Sequence, residues 1–245
     1  MSVDPRRAEL AASLAAARER VARAELAAGR EPGSARLMVV TKFFPAADLA
    51  RLVELGATEF GESREPEAGR KVAEVRAELP DAVFDVDMIG SVQRKKAKTV
   101  ARWARRVQSV DSPELAEALA VAAERSLDAG ERTTPLAVLL QVSLDGDPAR
   151  GGVPVDELGR LAEQVVARDG ALRLDGLMVI APLHGEVREH LAHAQTIAEG
   201  FRRDYPQARE LSSGMSGDLE TAIEHGSTCV RVGTAIMGAR PIISP

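Results

Sequence analysis

Eight short apolar runs that alternate with amphipathic helical stretches predict an α/β fold, a single (β/α)8 TIM-type barrel with an extra N-terminal helix. The length of 245 residues suits this, since such a barrel uses roughly 250. No linker-like or low-complexity segment and no fixed-period repeat divides the chain. Residues 1–245 therefore read as one domain, with residues 4–28 as the added helix packed on it.

That helix is rich in Ala, Arg, Glu and Leu, and Leu10, Leu14, Ala17, Val21 and Ala24 recur at helical spacing. Gly29 and the Glu31-Pro32-Gly33 stretch stop it. The predicted strands are 37–41, 58–60, 83–89, 107–110, 136–142, 174–180, 209–211 and 229–232. The strands 58–60 and 209–211 have the weakest apolar signal. Helical patterns fall between the strands at 47–55, 65–79, 94–104, 113–129, 155–168, 186–203 and 217–225.

Composition excludes several classes of function. A net charge of −5 gives no global attraction for nucleic acid or an anionic membrane. Aromatics make up only 3%, too few for base-stacking platforms. No apolar run approaches ~20 residues, so no membrane-spanning helix is expected. Cys229 stands alone, which forbids an intrachain disulfide and fits a reducing cytoplasm. The N-terminus places Asp4 and Glu9 among its arginines and has no apolar core, so it reads as neither a secretory signal nor a transit peptide.

Of 32 basic residues only five are lysines. Lys71, Lys95, Lys96 and Lys98 sit in polar surroundings, whereas Lys42 directly follows the apolar strand Leu37-Met38-Val39-Val40-Thr41. In a barrel the C-terminal strand ends form the active face. Partial desolvation there disfavours the ammonium form, and a neutral amine can attack an aldehyde to form an imine. The alternative is a lysine that merely snorkels at a strand end.

Barrels often bind phosphate in the loops after strands seven and eight. Here these read Ser212-Ser213-Gly214-Met215-Ser216-Gly217-Asp218 and Gly233-Thr234-Ala235-Ile236-Met237-Gly238. Small residues allow close backbone approach, Ser216 is placed to cap the next helix, and Thr234 adds a hydroxyl donor. Ordinary βα turns with helix caps are the plainer explanation. Arg231 lies inside the eighth strand, between Val230 and Val232 and on the opposite face from them. It either points at whatever Lys42 holds or pairs with an acid such as Glu62, Asp85 or Asp87.

These residues, with Val39-Val40-Thr41-Lys42, Phe60-Gly61-Glu62, Ile89-Gly90, the Gln93–Lys96 region and Gly176-Leu177-Met178, resemble the pyridoxal phosphate homeostasis protein family. The most specific stretches are 211–223 and 226–240, and the resemblance runs from about residue 36 to 240. Members look like the barrel half of alanine racemase without its second domain, a fold-type III barrel. The resemblance implies pyridoxal 5′-phosphate (PLP) as cofactor, joined to Lys42 as a Schiff base. Ser216, Gly233 and Thr234 would hold the phosphate with Met215 beside them, and Arg231 would face the pyridine nitrogen. This chain has Ser63 where the family carries Asn. It has Asp87-Met88 where the family carries His, and Gln93-Arg94-Lys95-Lys96 where the family reads Gln-Ser-Asn-Lys.

Arginine only donates hydrogen bonds, so Arg231 would keep the ring nitrogen unprotonated and weaken carbanion chemistry. A two-base racemase also needs a base opposite the lysine, commonly a tyrosine. The only tyrosine, Tyr205, precedes the seventh strand and falls at the opposite end of the barrel. A carrier that takes part in PLP homeostasis is thus favoured over an enzyme. PLP-dependent apoenzymes or amino acids are its expected partners, and a monomer, or at most a weak dimer, its expected state. A low-activity amino-acid racemase and a lysine-imine aldolase remain as alternatives. His190 and His193, with His184 and Glu189 nearby, read as a solvated helix face rather than a metal site. His225 suits a helix C-terminus, and Cys229 reads as an inert buried thiol. The run Arg94, Lys95, Lys96, Lys98, Arg102, Arg105, Arg106 reads as one helix's wet face.

Overall fold

The computed structural model describes residues 4–147, 150–182 and 184–239. Its strands are β1 (Arg36–Val40), β2 (Glu59–Glu62), β3 (Asp85–Met88), β4 (Arg106–Val110), β5 (Leu136–Val142), β6 (Leu172–Val179), β7 (Glu210–Ser212) and β8 (Cys229–Val232). Each is parallel to the next, and β8 pairs with β1 through Met38↔Arg231, so the barrel closes in sequence order. The helices are α1 (Pro5–Ala27), α2 (Ala46–Glu54), α3 (Glu67–Glu78), α4 (Ala97–Trp103), α5 (Pro113–Asp128), α6 (Leu158–Val166), α7 (Val187–Asp204), α8 (Leu219–Glu224) and α9 (Thr234–Met237). Both weakly signalled strands exist. β2 runs on through Glu62, whose charge hid it from the apolar pattern. The predicted strand 83–89 shortens to Asp85–Met88, and Val83 is exposed. The single turn α9 was not anticipated, and Arg240, at the end of the last motif, lies outside the described residues.

α1 starts where the Asp4 carboxylate accepts the backbone N–H groups of Arg6 and Arg7, with Pro5 in the first helical position. It ends at Gly29, whose φ of 65° suits a residue without a side chain. Leu10, Leu14, Ala17, Val21 and Ala24 are all buried, as their spacing predicts. Burying each leucine contributes about 1.5–3 kcal/mol. Buried Glu25 then ties the helix to the approach of β1 by accepting from Gly33 N at 3.1 Å and Ala35 N at 2.7 Å.

The barrel interior departs from the usual branched apolar layers. At its N-terminal end, Arg36 pairs with Glu59 and Glu210, Arg105 with Glu59, Asp85 and Asp87, and Arg106 with Asp175. Arg105 and Arg106 therefore do not belong to the wet face of a helix. Arg105 immediately precedes β4 and Arg106 opens it, and both pair with acids of the barrel floor. Burial works against the Arg105 charge, and Asp87 and Glu59 more than offset it, raising its pKa. The other basic residues of that run, from Arg94 to Arg102, do lie on α4 and the turn before it, and all but half-buried Lys96 are exposed.

Candidate functional site

The C-terminal ends of β7, β8 and β1 are neighbours, so closure gathers residues that lie some 170 to 190 positions apart. Half-buried Lys42 leaves β1 there, with its ammonium 5.9 Å from the ring centre of Phe43. Phe43 has φ 72°, a left-handed conformation that strains a bulky residue by about 1–3 kcal/mol. A turn closed by Phe44 N–H donating to Thr41 O at 3.1 Å holds it. Arg64 packs on the same ring at 4.9 Å.

Under this turn lies an ion pair that sequence reading missed. Lys71 is buried, not in polar surroundings. It donates to Glu62 Oε1 at 2.8 Å and to Thr41 O at 3.0 Å. The Thr41 hydroxyl donates to the same carboxylate oxygen at 2.7 Å. Burial pushes the Glu62 carboxyl up, and Lys71 and Thr41 oppose the shift. A signal was available, because Lys71 interrupts the apolar stripe Ala68, Val72, Val75 of α3.

The loop after β7 crosses beside the one after β8. Gly214 has φ 88°, and a side-chain carbon there would meet the Ala222 methyl at 2.4 Å, so the loop admits only glycine. Ser216 does not cap α8. Asp218 occupies that position and accepts from Met215 N, while Ser216 Oγ accepts from Ala235 N of the neighbouring loop at 3.4 Å. Met215 and Thr234 are exposed, Gly233 is half-buried, and the Thr234 hydroxyl makes no hydrogen bond among the described residues. A carbon added at Gly233 would lie 3.4 Å from Val40, two residues before Lys42.

Arg231 is buried within the barrel and makes no ion pair among the described residues. Glu62 is taken by Lys71, and Asp85 and Asp87 by Arg105. Instead Arg231 Nη1 donates to Ser212 Oγ at 2.7 Å and Nη2 to Val179 O at 2.9 Å. The Ser212 hydroxyl donates on to Gln108 Oε1 at 2.7 Å, and Gln108 Nε2 to Asp87 Oδ2 at 2.7 Å. Burial pulls the guanidinium pKa down, which Cys229 and Asp218 oppose, but an arginine stays protonated in water-accessible pH ranges. Burial likewise pushes the Asp87 carboxyl up against the pull of Arg105.

The donors fit a phosphorylated aldehyde. An amine stands at a strand end, a buried guanidinium forms no ion pair among the described residues, and two glycine-bearing loops present a hydroxyl that is free among those residues. A family profile described as alanine racemase, N-terminal domain, matches residues 12–241. A pyridoxal phosphate homeostasis protein of Mycobacterium tuberculosis (strain H37Rv) is 46% identical, covering 98% of this chain and 96% of the relative. The Escherichia coli K12 protein of that name is 34% identical over 95% of this chain and 97% of its own. The chain belongs to the pyridoxal phosphate homeostasis protein family. PipY of Synechococcus elongatus, solved with PLP bound, superimposes with a TM-score of 0.76 at 31% identity, covering 94% of this chain and all of PipY. Alanine racemase of Corynebacterium glutamicum shares the fold, with a TM-score of 0.66 at 17% identity, and this chain corresponds to 62% of it.

Two family departures acquire a setting. Ser63, which replaces Asn, packs against Gly90, where an added carbon would fall 2.4 Å from Ser63 O. Asp87, which replaces His, ends the hydrogen-bond chain from Arg231. Tyr205 lies at the far end of the barrel, at the C-terminus of α7, and its hydroxyl donates to Gly159 O at 3.3 Å. His190 bonds His184 O, and His225, at the C-terminus of α8, bonds Gln195. Among the described residues no cluster of His, Cys, Asp or Glu could hold a metal, and no helix is long and apolar enough to cross a membrane.

Proposed function

We propose that this chain binds PLP through Lys42 and serves its homeostasis in the cytoplasm as a carrier, without efficient catalysis. One observation carries the reading: Lys42 and the loops holding Ser216, Gly233 and Thr234 share one mouth of the barrel, above the buried Arg231. PLP when bound supplies an aldehyde that withdraws electrons from an attached amine. Lys42 is the residue that would hold that aldehyde, as a Schiff base. Ser216, Gly233 and Thr234 would hold its phosphate, with exposed Met215 beside them. Arg231 would face the pyridine nitrogen as a donor, which would favour the unprotonated ring.

Residues 1–245 act as one domain, and PLP-dependent apoenzymes or amino acids are the partners to which the bound PLP would pass. The buried, lone Cys229 suits a reducing compartment, and we expect a monomer.

Two outcomes test this. Lys42→Arg keeps charge and approximate length but removes imine chemistry. The yellow colour of the PLP-loaded protein is expected to vanish while circular dichroism is unchanged, and a persisting visible band would overturn the assignment. With several amino acids supplied, chiral chromatography should show at most slow α-proton exchange. Turnover near about 10 per second, an ordinary enzyme rate, would establish a racemase instead.

A further inference from the structure

We infer that α1, which lies outside the barrel repeat, braces the phosphate grip through Arg6, Ser13 and Arg20, making these three positioning residues for PLP. The inference rests on the proposed placing of phosphate at Ser216, Gly233 and Thr234.

α9 is one turn long, so it gains little from its own hydrogen bonds, and its last carbonyls have no helical partner. α1 supplies partners. Ser13 Oγ approaches Ile236 O at 2.8 Å, nearer than its own-helix alternatives, Glu9 O and Leu10 O. Arg6 Nη2 donates to Met237 O at 3.0 Å. Asp48 of α2 fixes the Arg6 guanidinium by accepting from Nε at 3.0 Å and Nη2 at 2.8 Å.

The other loop is held in the same way. Arg20 Nη2 donates to Ser216 O at 3.2 Å, and Glu220 of α8 grips the Arg20 fork at 2.9 and 3.0 Å. The first loop is tied at its base to β8, where Arg231 N donates to Gly214 O at 2.9 Å, but beyond that, among the described residues, the two loops share one weak bond, Ala235 N to Ser216 Oγ at 3.4 Å. The outer parts of both loops, at Ser216 and at Ile236 and Met237, are thus held by a shared third body, α1. That helix is itself anchored by fully buried Leu10 and by Leu14 and Ala17. A brace of this kind matters only to a ligand that both loops grip at once. Pyridoxal, which lacks phosphate, should be indifferent to it.

The test compares PLP with pyridoxal. Dissociation constants are measured by visible absorbance for wild type, Ser13→Ala, Arg20→Lys and Ser13→Ala/Arg20→Ala. Arg23→Ala, on α1 and hydrogen-bonded to Glu19 rather than to either loop, is the control. Melting temperatures and circular dichroism report folding. The double variant is expected to lose about tenfold or more in PLP affinity, the scale of one charge-assisted bond, with pyridoxal affinity unchanged. The single variants should lose less, in the same direction, and they carry the test if the double variant does not fold. Inorganic phosphate should compete with pyridoxal more weakly in the variants than in wild type. If the variants keep the wild-type preference for PLP, or lose both ligands equally, α1 is no brace and the inference is overturned. If wild type itself binds PLP and pyridoxal alike, the phosphate assignment beneath it fails.

Discussion

Lys71 shows how much one buried side chain decides. It and Glu62 are both almost fully enclosed, and each neutralises the other under the turn that carries Lys42. Removing one member of a buried pair leaves an uncompensated charge, at about 3–5 kcal/mol. Lys71→Met is therefore expected to lower unfolding free energy by that order, and Lys71→Met/Glu62→Leu to recover much of it. A double-mutant cycle by urea denaturation measures this, and additive losses would show that the pair does not couple. Nothing in local composition marks Lys71 as buried, since its neighbour Arg70 is exposed. Only the helical period places it among Ala68, Val72 and Val75.

At the scale of elements, the loop between β7 and α8 is fixed by packing as much as by its donors. Gly214 combines a left-handed φ of 88° with contact to Ala222 on α8, where an added carbon would fall at 2.4 Å. Its carbonyl also accepts from Arg231 N at 2.9 Å, so any shift moves the strand bearing the buried guanidinium. Gly214→Ala is expected to destabilise the fold by about 1–3 kcal/mol through overpacking and strain. PLP affinity should fall more than the change in stability alone implies. Thermal melting with and without PLP checks this, and an unchanged ligand-induced shift in melting temperature would count against a coupled loop. The motif 211–223 was legible in the sequence as a phosphate loop. That Ser216 faces Ala235 rather than capping α8 was not, because the bond spans 19 residues and two loops.

At the scale of the whole molecule, the barrel encloses groups whose protonation then depends on folding. Cys229 is fully buried, and burial pushes its thiol up to about 11 from 9.0. The sign follows directly. Between pH 9 and about 11 the unfolded chain loses this proton while the folded chain keeps it, so stability falls as pH rises. The loss is at most about 2–3 kcal/mol, complete above the folded value, and absent below pH 9. Cys229→Ala is expected to flatten the alkaline limb of a stability–pH curve relative to wild type. Identical limbs would remove Cys229 as its cause. The same enclosure should keep the thiol inert to alkylating reagents at neutral pH until the protein unfolds.

The alternation of eight strands with helices, the buried face of α1, and Lys42 at a strand end are all legible in the amino-acid order. Each of these is written within a few successive residues, as a period, a cap or a chain boundary. The two C-terminal motifs were legible for the same reason. The tertiary structure alone decided that Arg231 bonds Ser212 and Val179 O rather than an acid, and that Asp87 terminates the chain through Gln108. It also decided that Arg105 and Arg106 close the barrel floor and that α1 reaches both loops of the mouth. The physical reason is that closing a barrel brings distant strands into register. A buried charge then takes the partner that closure puts within hydrogen-bond reach, which the spacing along the chain does not encode.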